Sequence, residues 1–144
     1  MSKYLGIDYG SKRIGIAVSD ENKKIAFSRE AIINDKNILE NIFKIIMEEN
    51  IERIIIGYPL SLKSGKTNQT FETEKFRDNI DIFFSKNKTD IRIEFFDERL
   101  SSRLAEGYIS EIIRSKSKRR NKGLTDSFSA QIILQNYLDK INNK

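Results

Sequence analysis

The stretch Lys3–Ser19, KYLGIDYGSKRIGIAVS, decides the fold. Lys3–Asp8 reads as a short strand with Leu5 and Ile7 on one face, and Tyr9-Gly10-Ser11-Lys12-Arg13 reads as a turn. Ile14–Ser19 is a second strand, in which Ile14, Ile16 and Val18 alternate with Gly15, Ala17 and Ser19. That period of two predicts a half-buried strand. Asp20-Glu21-Asn22 turns the chain again, into a third strand around Lys24–Ala31. The chain therefore opens as a three-stranded antiparallel meander.

The period then changes. Ile38, Leu39, Ile42, Ile45 and Ile46 recur at helical spacing between about Asp35 and Asn50. Arg53–Gly57 is a buried strand, followed by a loop through Gly65. Thr67–Lys86 predicts a helix with Phe71, Phe76, Ile80, Phe83 and Phe84 near its inner face, and Ile91–Phe96 a fifth strand. Two helices close the chain, Ser101–Ser115 and Thr125–Lys140, the second with Phe128, Ile132, Ile133 and Tyr137 on its apolar stripe. The order is β-β-β-α-β-α-β-α-α. Strands joined through helices run parallel by right-handed crossovers. A three-layer α/β domain on a mixed five-stranded sheet satisfies all of this, and the ribonuclease H-like fold has this element order.

The 144 residues, 38% of them hydrophobic, predict one domain over 1–144 with one apolar core. Cysteine and histidine are both absent. That excludes a disulfide framework, a thiolate zinc site, a Ser-His-Asp triad and an imidazole base. Catalysis falls to carboxylates, lysines, hydroxyls or a bound hard cation. The start MSKYLGIDYG lacks a signal-peptide core, and no window approaches the roughly 20 apolar residues that span a bilayer. A cytoplasmic protein with no membrane contact is the expectation. Oligomeric state is not legible.

The net charge of +5 is modest, but its distribution is uneven. In RSKSKRRNK (114–122) six of nine residues are basic, namely Arg114, Lys116, Lys118, Arg119, Arg120 and Lys122. A solvated loop accounts for such a run. So does contact with a nucleic-acid backbone, whose phosphates neutralise like charges this dense.

Three acids occupy special positions. Asp8 closes the first strand, Asp97-Glu98-Arg99 closes the fifth, and Asp126 follows Thr125 at the start of the last helix. Each has an ordinary explanation: turn initiation for Asp8, helix capping by Asp97 or Ser101, and a favourable first-turn charge for Asp126 behind the N-cap Thr125. Taken together they are harder to dismiss. Functional groups of α/β sheets collect beyond the carboxyl ends of the strands, and the last helix can start across that rim. Asp8, Glu98 and Asp126 would then converge, and carboxylates that converge repel unless a cation lies between them. Without His or Cys the fitting ion is Mg²⁺ or Mn²⁺, and a pair of such ions about 3.5–4 Å apart can activate water and stabilise the leaving oxygen of a phosphodiester.

Four segments carry a resemblance: LGIDYGSKRIGIAVSD (5–20), IIIGYPLSLKSG (54–65), FFDERLSSRLAE (95–106) and TDSFSAQIILQNYL (125–138). In this order, over nearly the whole chain, they resemble the YqgF family of pre-16S rRNA nucleases, also described as Holliday-junction-resolvase-like proteins. The resemblance implies a ribonuclease H-like fold, metal-dependent cleavage by acids matching Asp8, Glu98 and Asp126, and a role in maturing the 5′ end of 16S rRNA within pre-ribosomal particles. Arg13, Asp97 and Arg99 fall in the same motifs and are candidates for support or substrate contact. Two departures stand out: Tyr58 where an aliphatic residue is usual, and a last motif, Ser-Phe-Ser-Ala, more polar than the family's small apolar run.

The expected roles follow. Asp8 bridges the metals; Glu98 and Asp126 each complete one side. Lys12 or Arg13, on the hairpin turn, meets a phosphate, and Arg114–Lys122 holds the backbone of a structured RNA. The loop Pro59–Lys66 either borders the groove or is a plain surface connection. The alternative is a non-catalytic nucleic-acid- or ribosome-associated module on the same fold. Further rivals are a Holliday-junction resolvase and an ATPase of the actin and sugar-kinase type, whose first phosphate loop is similar to Asp8-Tyr9-Gly10-Ser11. The ATPase needs a second related domain, for which this chain lacks the length.

Overall fold

A computed structural model describes residues 2–61, 63, 65–97 and 122–143, with the side chains of 122–126 outside the description. The elements are β1 (Lys3–Asp8), β2 (Arg13–Ser19), β3 (Ala26–Ile33), α1 (Ile38–Glu49), β4 (Ile51–Tyr58), β5 (Leu60–Ser61), β6 (Gly65–Lys66), α2 (Asn68–Lys86), β7 (Arg92–Asp97) and α3 (Lys122–Asn142). The main sheet has five strands in the order β3-β2-β1-β4-β7. The opening meander is antiparallel, and β4 and β7 run parallel to β1. The mixed sheet read from the sequence is thus the observed one. The helix expected at Ser101–Ser115 lies outside the described residues.

The sheet is covered on both faces. Leu5, Ile7, Ile14, Ile16, Val18, Ile54 and Ile56 pack with α1 and α2 on one side. Tyr4, Ala17, Ile55 and Phe96 pack with Ala130, Ile133, Leu134, Tyr137 and Leu138 of α3 on the other. This corrects the half-buried reading of Ile14–Ser19, because β2 is buried on both faces from Ile14 onward. Its alternation is one of size. Large residues face α1 and α2, while the small partners leave room for α3.

That room is used fully at Gly6. A Cβ there would stand 2.8 Å from Leu134 Cβ and 3.1 Å from the Ala130 carbonyl oxygen. Helix α3 therefore rests directly on the central strand. Its buried face is Ser127, Ala130, Ile133, Leu134, Tyr137 and Leu138; Phe128 and Ile132, expected on the apolar stripe, are only half-buried.

The last helix starts at Lys122 and not at Thr125, which puts Thr125 inside α3 and leaves no acid in its first turn, against the capping and first-turn readings of Thr125 and Asp126. One further boundary and one helix phase differ for identifiable reasons. Strand β3 starts two residues later than expected because the Asp20 carboxylate accepts the backbone N–H groups of Lys24 and Ile25 at 2.8 and 2.9 Å, holding both in the turn. Those same N–H groups hold the Asp20 carboxyl below its ordinary range. On α2, Phe71 is 56% exposed, while Thr70 and Thr73 face inward with Phe76, Ile80 and Phe84. The capping box sets this phase: Thr67 and Thr70 exchange side-chain to backbone hydrogen bonds, and the Thr70 hydroxyl donates to the Pro59 carbonyl. Fixing Thr70 inward turns Phe71 outward. The loop after β4 contains a small antiparallel hairpin, β5 with β6, closed at Gly65 with φ +71°.

Gly6→Ala should lower the free energy of unfolding by about 1–3 kcal/mol, the usual cost of overpacking, although Ala is ordinarily the better strand residue. Urea unfolding with an unchanged m-value checks this. An equal or higher midpoint would contradict the close approach of α3.

Candidate active site

Parallel strands end on one rim. Asp8 ends β1, Tyr58 ends β4 and Asp97 ends β7, with Tyr58 and Asp97 opposite each other in the β4–β7 register. Strand β2 runs the other way and begins there at Arg13, and Gly15 pairs with Asp8. The turn Tyr9–Lys12 hangs over the edge. It is tight: a Cβ on Gly10 would stand 2.4 Å from the Arg13 carbonyl oxygen. The loop after β3 braces it, since Asn34 donates its backbone N–H to the Lys12 carbonyl at 2.8 Å and its Nδ2 to the Gly10 carbonyl at 2.9 Å. Asp8 is thus a half-buried acid on a rigid strand end, with half-buried Arg13 and exposed Lys12 on the same turn.

The start of α3 comes to this rim. The buried Ser127 hydroxyl oxygen accepts the backbone N–H of Ile16 at 3.4 Å. Ile16 adjoins an irregularity in the β2–β3 register and pairs with Ile7 of β1, one step in from the Asp8–Gly15 pair. From there α3 runs antiparallel to β1, reaching Gly6 with Leu134 and Tyr4 with Tyr137. Position 126 immediately precedes Ser127 on this helix. The polar character of the last motif, a departure in the sequence, has its reason here. The serine offers a strand N–H an acceptor that a small apolar residue could not.

Of the acids expected to converge, Asp8 is described with its side chain, Asp126 with its backbone only, and Glu98 lies outside the described residues. Arg99, Arg114, Lys116, Lys118, Arg119 and Arg120 also lie outside them, as does the side chain of Lys122, whose backbone opens α3. Among the described residues no group of three or more acids surrounds a common point. The donor chemistry nevertheless suits a hard cation: Asp8 supplies a carboxylate at the strand end, and the chain has no His or Cys to compete.

Tyr58, the other departure, lies on the middle strand of the rim. Its ring sits 4.7 Å from that of Phe95, and its hydroxyl donates to Glu74 Oε2 at 2.7 Å. Lys66 Nζ reaches the same oxygen at 3.0 Å. The Glu74 carboxylate pushes the Tyr58 phenol above its ordinary value, while the Tyr58 hydroxyl and then Lys66 hold Glu74 below its own. The loop Pro59–Lys66 is therefore tied to α2 beside the rim.

A family model described as "RuvX: Holliday junction resolvase" matches residues 2–140. The chain belongs to the RuvX family. A relative in Sulfurihydrogenibium sp. (strain YO3AOP1), named "Putative pre-16S rRNA nuclease", is 40% identical over 141 residues, covering 98% of this chain and 92% of the relative. One of the same name in Bacteroides fragilis is 37% identical over 139 residues, covering 96% and 97%. Among solved structures, T. thermophilus RuvC in complex with a Holliday junction substrate aligns with a TM-score of 0.63 at 11% identity, covering 99% of this chain and 96% of that one. The fowlpox virus Holliday junction resolvase aligns at 0.56 with 13% identity, covering 96% and 99%. These likenesses establish the ribonuclease H-like fold, and family membership makes this RuvX-family chain a nuclease. Among the described residues no helix is long and apolar enough to cross a membrane.

The Tyr58–Glu74–Lys66 cluster has a defined pH window. Glu74 titrates below its ordinary 4.5, so its share of stability is present above that value and is lost as pH falls through the lowered one. Tyr58 titrates above 10.0, so its share is present below that value and is lost as pH rises through the raised one. The tyrosinate absorbance difference between wild type and Tyr58→Phe should therefore titrate above 10.0. It should fall back toward 10.0 in Glu74→Gln; an unmoved midpoint would refute the coupling.

Proposed function

We propose that this chain, as a single domain over 1–144, hydrolyses phosphodiester bonds of pre-16S rRNA with Mg²⁺ or Mn²⁺ held by Asp8, Glu98 and Asp126. The observation that carries the reading is the Ser127–Ile16 contact, one strand pair in from Asp8. It ties the first turns of α3 to the rim on which β1 and β7 end. The choice of Glu98 over Asp97 is the one the family resemblance implies. Near the end of β7, Phe96 lies on the α3 side and Phe95 on the other. Gly6, two residues before Asp8, is also on the α3 side.

When bound at such a site, divalent ions activate a water and stabilise the departing oxygen. The chain's own groups supply the frame. Asp8 holds its carboxylate on a strand end that the Gly10 turn and Asn34 keep rigid. Exposed Lys12 and the neighbouring Arg13, on the turn after Asp8, would meet a phosphate beside it. Arg99 contacts the substrate from the strand-end motif, and the basic run Arg114–Lys122 follows the backbone of the RNA. Ribosomal RNA, rather than a DNA junction, is favoured by the relatives at 34–40% identity that carry the pre-16S name. A cytoplasmic site of action accords with that substrate.

Purified protein should cut precursor RNA with Mg²⁺ or Mn²⁺ and lose the activity to chelator. Asp8→Asn should lose at least about 100-fold in rate, because even residues behind metal ligands cost 10–100-fold. Cleavage that survives both treatments would defeat the proposal, and preferential cutting of a four-way DNA junction would replace the substrate. Lys118, Arg119 and Arg120 replaced together by Ala should flatten the salt dependence of RNA binding, by roughly 0.7 in log–log slope per lost contact. An unchanged slope would return that stretch to solvent.

A further inference from the structure

A cavity of about 360 Å³ opens on the other side of the rim, beneath the turn that follows Asp8. Tyr9 and Phe76 form its aromatic wall, with ring centroids 4.9 Å apart and planes inclined by 43°. Ile38 and Leu39 of α1 add apolar surface, and Asn34 and Asn79 add amides. Its size lies at the lower end of the roughly 300–1,000 Å³ of small-molecule clefts. The lip carries Glu72 and Lys75, one charge of each sign, so the cavity has no net field to draw a phosphate. Aromatic faces and amide groups are the chemistry that holds a base, by stacking and by hydrogen bonds to its edge. Asn34 already spends its Nδ2 on the Gly10 carbonyl, which leaves its carbonyl oxygen to accept from a base amine.

Position gives the cavity its meaning. Leu5 and Ile7 face α1 and α2, and Tyr9 packs against the same core. Asp8 shares the parity of Gly6, which faces α3. Consecutive Cα atoms are about 3.8 Å apart, so the aromatic wall begins one residue from the acid at the cut. We propose that the Tyr9–Phe76 cavity receives an unpaired nucleobase of the substrate strand, next to the phosphate at Asp8. This rests on the reading of the rim as a place where a strand is cut. It adds that the strand must be unpaired there, with one base taken out of the stack.

The test is binding of a short single-stranded RNA under EDTA, with 2-aminopurine or an abasic residue moved along it. One position should change its fluorescence on binding, and an abasic residue at that position should weaken binding about tenfold, the scale of one lost aromatic stack. Tyr9→Leu should cost the same. Asn79→Trp, a substitution at an exposed site on the lip, should do so by filling the cavity without touching the core. In both variants the abasic residue should cost nothing further, since the interaction is already gone. An abasic cost that persists in full in Asn79→Trp would overturn the proposal, as would a strand tolerant of abasic residues at every position. Adenosine monophosphate that binds the cavity while RNA binding ignores both variants would also overturn it, in favour of a free nucleotide. Because divalent metal is absent throughout, a chain that inserts the base but cuts nothing upholds this inference and removes only the cleavage reading.

Discussion

The contact between α3 and β1 at Gly6 sets the height of the last helix above the sheet. No side chain fits between them: the space a Cβ would need is already taken by Leu134 and the Ala130 carbonyl. At that height the Ser127 hydroxyl reaches the Ile16 N–H, beside the irregularity in the β2–β3 register. Lifting the helix would break that hydrogen bond, at a net cost of about 0.5–1.5 kcal/mol, and carry the start of α3 away from the rim. The small residues of the opening hairpin and those of the last helix thus form one steric fit, made by segments more than a hundred residues apart.

The fit has an electrostatic consequence. Acids drawn to one rim, as proposed for Asp8, Glu98 and Asp126, would repel without a cation between them. A further acid beside the rim would not add to that repulsion. Glu74 is engaged by the Tyr58 hydroxyl and the Lys66 ammonium, so its charge is spent locally. The aromatic residue that breaks the family pattern at the end of β4 therefore has a use: it anchors the β5–β6 hairpin to α2 and keeps a carboxylate occupied.

Periodicity made the sheet legible. Lys3–Asp8 and the parallel crossovers follow from strand alternation, helical spacing and connection rules, all local properties. What local pattern missed was set by partners far along the chain. The alternation of Ile with Gly and Ala in β2 is the same whether the second face meets water or a helix, and only α3 decides between them. Phe71 fits an apolar stripe on α2 until the Thr67–Thr70 box fixes the helix phase. Ser127 looked like a polar lapse in an apolar motif because its partner, the Ile16 N–H, is 111 residues away. Asp8 and Asp97 were legible as strand-end residues, whereas the start of the last helix was not, because α3 begins at Lys122, before the Thr125 cap that local pattern suggested. The cavity was not, since Tyr9, Asn34 and Phe76 share no motif and meet only through the packing of α1 and α2 on the sheet.

On the proposed reading, the two faces of β1 would give neighbouring residues separate tasks. Strand parity sends Asp8 toward α3 and Tyr9 toward α1 and α2, so a group that handles phosphate and a surface that holds a base can be adjacent without competing for space. Such a division works only if the offset between them is fixed. Gly10 fixes it, because its Cα lies too close to the Arg13 carbonyl for any side chain, and Asn34 ties the same turn down from the β3 side. The tightness of this turn therefore matters beyond closing a hairpin. It converts the pleat of a single strand into a set distance between chemistry on one face and recognition on the other.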